Sequence, residues 1–231
     1  MRKFDGVLFD KDGTLFDFHA TWSAWTAGLL DELAAGNKEL VAKLAAAIDF
    51  DLELARLRPA SAVIAGTPGD ITRLLLPWVP GQPTEAELLS RLNGLAARAR
   101  QVEAVPLQAF VARLRGTGLQ LGVATNDAEA PARAHLASVG IEADFDFIAG
   151  YDSGYGAKPA PGMCLAFAED QRLEPARCVM VGDSRHDLEA GRRAGMATVA
   201  VLTGVAERDE LAPLADVVLA DISHLPAWLG I

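Results

Sequence analysis

The sequence predicts an α/β fold in which a three-layer core, built on a mostly parallel sheet, carries an inserted α-helical cap. Three observations point there. A short apolar run, Phe4 to Asp10 (FDGVLFD), reads as a strand near the start of the chain. Beyond Pro106, short apolar strands alternate with helical stretches, the order expected when helices cover both faces of a parallel sheet. Between these regions, from about Asp17 to Glu103, the chain is Ala/Leu-rich, with helical periodicity and few β-branched runs. Its 231 residues suffice for one sizeable core and a smaller insert.

Taken in order, the first strand ends in an acidic residue and a Gly-Thr turn. The insert then reads as three helices, Thr21 to Ala35, Asn37 to Leu57 and Thr84 to Val102. The Pro- and Gly-bearing stretches Arg58 to Gly69 and Pro77 to Pro83 read as loops. In the second region Leu107 to Arg115 is a helix with Pro106 at its start and Gly116 past its end. Leu119 to Thr125 is a strand, Glu129 to Val139 a helix closed by Gly140, and Phe145 to Gly150 a strand. Pro161 to Arg172 is a helix, Arg177 to Gly182 a strand, and Asp187 to Ala194 a helix closed by Gly195. Ala197 to Leu202 and Val217 to Ala220 complete a Rossmann-like sheet. The expected division is 1–16 and 104–231 for the core and 17–103 for the cap.

Composition narrows the function. With 21 Lys and Arg against 31 Asp and Glu, the net charge is −10, the reverse of what a nucleic-acid-binding chain needs. Small anions are still compatible, since a local cation and oriented backbone N–H groups can hold them in an acidic protein. Cys164 and Cys178 form no metal-binding spacing, and a reduced cytoplasmic setting fits them. The start Met1-Arg2-Lys3 leads at once into a strand containing Asp5 and Asp10, unlike a signal peptide. No uncharged apolar run is long enough to span a bilayer, so no membrane partner is expected.

The unusual polar residues fall at strand ends. Strand one ends in Asp10-Lys11-Asp12-Gly13-Thr14 and the next in Thr125-Asn126-Asp127. The third is followed, after a Gly-rich loop, by Lys158-Pro159, and the fourth ends in Gly182-Asp183-Ser184, with Asp187 just beyond. Any one of these could be a helix cap or turn. Four in order at one sheet edge, where open α/β sheets bind ligands, argue for a site. Asp10, Asp12 and Asp183 brought together would raise one another's pKa or bind a cation. Mg²⁺ takes such hard oxygen ligands. Lys158 would supply a fixed positive charge. Thr125 and the backbone N–H groups at a helix start could hold phosphate oxygens, and Gly13 would allow a tight backbone turn.

The string Val7 to Leu15 (VLFDKDGTL), followed by Thr125, by Lys158 and by Gly182 to Asp187 (GDSRHD), resembles the four motifs of the haloacid dehalogenase-like (HAD) phosphatases. The resemblance spans the whole chain. The stretches Gly156 to Pro159 and Val179 to Met196 look most like its phosphoglycolate-phosphatase-type members. It implies Asp10 as nucleophile, and Asp12 as general acid and then base. It implies Mg²⁺ held by Asp10, the Asp12 main-chain carbonyl and Asp183, with Asp187 supporting the metal's waters. Phosphate would be bound by Thr125, Asn126 (through its backbone) and Lys158. These roles fit the chemistry: a carboxylate nucleophile splits hydrolysis into two easier displacements, and phosphoryl transfer needs in-line positioning and charge neutralisation. The implied substrate is a small, phosphoglycolate-like phosphomonoester.

Other residues read more plainly. Lys11 stands where the family more often has an apolar or aromatic residue. In extended backbone its side chain points away from Asp10 and Asp12, either reaching toward the cap and the substrate or, the reading favoured, as a solvated or paired lysine. His186 reads as structural or exposed, and His19, His135 and His224 as ordinary surface or cap residues. Trp22 and Trp25 would pack the cap rather than bind a substrate ring, though they are placed to shield the site. Arg56 and Arg58 could grip a substrate carboxylate by a bidentate contact, but they, and likewise Arg91, Arg98 and Arg100, read as solvated helix faces. Three rival functions follow from the same residues: a sugar-phosphate phosphomutase, a dehalogenase, disfavoured by Asp12 and Asp183, and a receiver-like phospho-acceptor signalling domain, disfavoured by the helical insert.

Overall fold

The computed structural model describes residues 3–59 and 61–231. The reading of Met1-Arg2, and of Ala60 within the expected loop, lies outside these residues. The first strand, β1 (Gly6–Phe9), leads into a helical region comprising α1 (Phe18–Ala34), α2 (Lys38–Ala47), the hairpin β2 (Phe50–Asp51) and β3 (Arg56–Leu57), α3 (Ala62–Ala65), α4 (Pro68–Leu75) and α5 (Glu85–Ala96). The alternating region follows as α6 (Leu107–Arg115), β4 (Gln120–Ala124), α7 (Glu129–Ser138), β5 (Phe147–Ala149), α8 (Gly162–Asp170), β6 (Cys178–Gly182), α9 (Arg185–Ala194), β7 (Ala197–Val201), α10 (Arg208–Leu211), β8 (Val217–Leu219) and α11 (Leu225–Leu229).

The six-stranded sheet runs in the order β5-β4-β1-β6-β7-β8, and every pairing in it is parallel. β1 is central, between β4 and β6, which is why Gly6–Phe9 is buried throughout. Its alternate side chains enter different cores. Val7 and Phe9 join the cluster under α6 with Phe110 and Leu121, and Leu8 joins Phe167 and Met180 under α8. Helices on both faces explain why the strands read as continuous apolar runs.

The helical region has a core of its own, centred on Leu30, Leu44, Leu75, Leu88 and Leu92. Two adjacent linkers join it to the sheet. Asp17 N–H donates to the Val102 carbonyl at 2.8 Å, Ala104 N–H donates to that of Leu15 at 2.9 Å, and Phe16 bridges Glu103.

Two expectations in this region fail for identifiable reasons. The helix expected over Asn37 to Leu57 stops at Ala47, because Asp49 takes a left-handed φ of 53° and the Asp51 carboxylate accepts from the Glu53 and Leu54 N–H groups. That local acceptor competes with the helix ladder and sets the β2–β3 hairpin. Arg56 and Arg58 are therefore not on a helix; Arg58 pairs with Asp51 at 3.3 Å. The expected loop Arg58 to Gly69 instead holds α3 and the start of α4. Thr67 and Asp70 form a capping box with Pro68 in the first turn, so Pro and Gly here open a helix. Among the described residues no helix is long and apolar enough to cross a membrane.

Candidate active site

The carboxyl ends of β1, β4 and β6, with the loop after β5, bring Asp10, Thr125, Asn126, Lys158, Asp183 and Asp187 to one pocket. Asp10 still pairs within the sheet, its N–H donating to the Val181 carbonyl at 2.8 Å. The chain then turns at Gly13, whose φ is 79°. A Cβ added there would lie 2.4 Å from Asp183 Oδ2, and one on Gly204 would lie 1.6 Å from the same atom. Both positions need glycine because the backbone closes against this carboxylate.

Asn126 holds the Lys158 loop from both sides. Its Oδ1 accepts from the Lys158 N–H at 2.8 Å, and its Nδ2 donates to the Lys158 carbonyl at 3.0 Å. Its side chain thus holds the Lys158 loop in place. Thr125 is buried, with Oγ1 accepting from the Asp127 N–H at 3.1 Å. The Lys158 ammonium spends its donors on Asp10 Oδ1 (2.6 Å), Asp187 Oδ1 (2.5 Å) and the Ala124 carbonyl (2.7 Å). Asp187 also closes the capping box of α9: its Oδ2 accepts from the Ser184 N–H at 3.0 Å and from Ser184 Oγ at 2.6 Å.

Asp10, Asp183 and Asp187 are buried, and one carboxylate oxygen from each lies within 4.8 Å of the others. The Lys158 ammonium is the cation paired with this group, so burial leaves negative charge unbalanced. Burial pushes the Asp10 carboxyl up to about 7, against the pull of Lys158 and with added push from Asp187 and Asp12. Burial, then Asp10 and Asp187, raise Asp183 well above the ordinary carboxylate range. Burial alone would lower Lys158, but Asp10 and Asp187 overcome it and raise it. Three buried oxygen ligands with one lysine are a donor set suited to a hard divalent cation. Asp187, expected behind the metal's waters, stands in the same ring as Asp10 and Asp183.

The structure corrects the reading of Lys11 and His135. Lys11 is fully buried, and its ammonium turns back to Asp12, at 2.7 Å from Oδ1 and 2.6 Å from Oδ2. Asp127 lies 3.3 Å away and His135 Nδ1 3.0 Å away, and the ammonium sits 5.4 Å from the Trp22 ring centroid. Because an ammonium only donates, His135 Nδ1 must accept. Its Nε2 therefore carries the proton and donates to the Ala96 carbonyl, 2.7 Å away at the end of α5. His135 is buried and neutral, pushed down to about 4 by burial and then by Lys11, against Asp12 and the Ala96 contact. Trp22 does more than pack: its indole N–H donates to Asp12 Oδ1 at 2.8 Å. Asp12 is thus tied to α1 directly, and to α5 through Lys11 and His135. One trace of this was present in the sequence, since His135 falls on the buried face of α7 with Pro131, Ala132 and Leu136.

His186 borders the pocket, His19 is exposed, and His224 pairs with Asp221 at the surface. Arg91 pairs with Glu32, and Arg98 and Arg100 are exposed. The pocket has the polar strand ends as its floor and α1, α3, α4 and α5 as its roof.

The model of the haloacid dehalogenase-like hydrolase family matches residues 4–195. The phosphoglycolate phosphatase of Rhodospirillum rubrum is 34% identical, over 97% of this chain and 90% of its own. The probable phosphatase IndB of Dickeya dadantii is 36% identical over 111 residues, 48% of each chain. Among solved structures, a predicted phosphoglycolate phosphatase from Haemophilus somnus superposes with a TM-score of 0.73 at 19% identity, covering 99% of both chains.

Proposed function

Because the chain belongs to the haloacid dehalogenase-like hydrolase family and is a phosphatase of its phosphoglycolate-phosphatase-like branch, we propose that it hydrolyses a small phosphomonoester through a phospho-aspartyl intermediate on Asp10, with Mg²⁺ as cofactor. One observation carries this reading: Lys158 bridges Asp10 and Asp187 while Asp183 closes the same buried ring. Asp10, Asp183 and the Asp12 main-chain carbonyl would hold Mg²⁺, with Asp187 beside them. When bound, the ion would neutralise the carboxylates and draw charge from the transferring phosphoryl group.

The side chains account for the rest. Asp10 Oδ attacks phosphorus as the ester P–O bond breaks, and the departing oxygen takes a proton from Asp12. Asp12 then takes a proton from water as the water oxygen attacks phosphorus, releasing inorganic phosphate and the Asp10 carboxylate. Lys11 and Trp22 hold the Asp12 carboxylate in one orientation for both transfers. Thr125 and the backbone at Asn126 would receive the phosphate oxygens, and Lys158, with its three donors engaged, would supply positive charge beside them. The cap, taken as residues 17–103, would exclude bulk water and read the leaving group. Phosphoglycolate, from the relatives' names, is the reference ester.

The test is phosphate release from a panel of small esters, with Mg²⁺ and with a chelator, for wild type and Asp10→Asn. Wild type should release phosphate only with the metal, and should yield an acyl phosphate trapped by borohydride reduction at Asp10. Asp10→Asn should give neither product while remaining folded. Near-normal turnover by that variant would refute the nucleophile assignment.

A further inference from the structure

We infer that the ester's leaving group is an uncharged, apolar alcohol of aryl or branched-alkyl shape, not a hydroxy acid such as glycolate. The inference rests on the phosphatase reading and concerns only the part of the substrate that faces the cap.

The pocket's two halves differ in chemistry. All the carboxylates and the one lysine on its lining belong to the strand-end floor. On the roof, Phe18, Trp22 and Trp25 share one face of α1, at i, i+4 and i+7. Ile64, Ile71 and Leu92 face the same space from α3, α4 and α5. Trp22 and Trp25 meet edge to face, with centroids 4.9 Å apart. The Trp22 N–H is already given to Asp12 and its ring packs against Trp25, His135 and the Lys11 ammonium, so the indole offers the pocket apolar surface and no free donor.

A leaving-group carboxylate would need a cation to balance its charge, and among the described residues no cation lines the roof. No arginine or lysine of the cap lines the pocket. Arg58 is paired with Asp51, and Arg73 is divided between Asp70 and Glu85. Lys11 is sealed behind Asp12. The N-terminus of α4 borders the pocket, but its anion seat holds the chain's own Asp70, which accepts from the Thr67 N–H at 2.9 Å and from Thr67 Oγ1 at 2.7 Å. The N-terminus of α9 is filled in the same way by Asp187. Asn93 is the polar roof residue that remains, and its Oδ1 is buried without a protein partner. The neutral amide both accepts and donates, so it suits a hydroxyl or N–H on the leaving group and brings no charge to balance a carboxylate. A buried carboxylate left unpaired on this roof is penalised, whereas an apolar group gains by displacing water from the same surface.

The experiment compares kcat/KM for benzyl phosphate and 2-phosphoglycolate with the Mg²⁺-loaded wild type and with Trp25→Ala and Trp25→Phe. Benzyl phosphate should be preferred by at least about tenfold, the scale on which apolar pockets discriminate. Trp25→Ala should erode that preference by lowering the benzyl rate more than the glycolate rate, and Trp25→Phe should restore most of it. Equal or better use of phosphoglycolate by wild type overturns the inference and leaves the phosphatase reading intact. Equal loss on both esters in Trp25→Ala also overturns it. Failure to release phosphate from either ester defeats both readings together.

Discussion

At the scale of single residues, the position between the two motif aspartates sets this chain apart. Lys11 is fully buried and holds Asp12, Asp127 and His135 at once. Lys11→Met keeps much of the side-chain bulk but leaves the Asp12 and Asp127 carboxylates without the buried cation they share. Breaking one partner of a buried ionic group costs about 3–5 kcal/mol, so denaturant unfolding at neutral pH should show a loss on that scale. A loss within about 0.5 kcal/mol, typical of an innocuous surface change, would remove Lys11 from the framework of the site. His135 makes a separate prediction. Its folded form takes up a proton only near pH 4, whereas an unfolded histidine does so near pH 6.5. The unfolded chain thus binds more protons between those values, and stability there rises with pH. The contribution is complete above pH 6.5 and is lost as pH falls toward 4. Between pH 7 and pH 5 it amounts to about 2 kcal/mol. His135→Gln should flatten that part of the stability curve, and an unchanged slope would mean that other groups carry it.

At the scale of elements, the sheet was legible and the cap was only partly so. Each strand of the alternating region is a short apolar run with helices to either side, so sequence period and burial agree, and Leu107–Arg115 was read to the residue. In the cap, two side chains overrode periodicity. Asp51 took backbone donors that a helix would have used, and Thr67 with Asp70 turned a Pro-Gly pair into a helix start. The second was open to a closer reading, because Thr67-Pro68-Gly69-Asp70 has the spacing of a capping box. Thr67→Ala should cost about 1 kcal/mol in urea unfolding. It also frees the Asp70 carboxylate from the Thr67 hydroxyl at the pocket rim. A stability change near zero would show that α4 is held by packing of Ile71 and Leu75 alone.

At the scale of the whole molecule, the candidate site is legible as a set of residues because its members lie at strand ends or in the segments that follow them, and parallel topology delivers those ends to one rim. What the sequence hid was how the rim joins the cap. The Lys11–His135–Ala96 and Asp12–Trp22 contacts span separations of 124, 39 and 10 positions, with no local pattern to announce them. The same assembly fixes how metal and protons compete. The carboxyls of Asp10 and Asp183 are raised, Asp10 to about 7, so without a cation the folded state binds protons there more readily than the unfolded chain. The sign is opposite to that of His135. This stabilisation is full below the unfolded carboxylate range near pH 4 and is lost as pH rises through about 7 for Asp10. A divalent cation replaces those protons, and its binding should therefore raise stability more at pH 8, where the carboxylates are bare, than at pH 5, where protons hold the site. With free Mg²⁺ at one hundred times its dissociation constant the gain is about 2.7 kcal/mol. Thermal unfolding with Mg²⁺ and with a chelator at the two pH values measures this difference. Asp183→Asn should abolish the Mg²⁺-dependent shift at both. A shift equal at pH 5 and pH 8, or one that persists in Asp183→Asn, would place the cation away from these carboxylates.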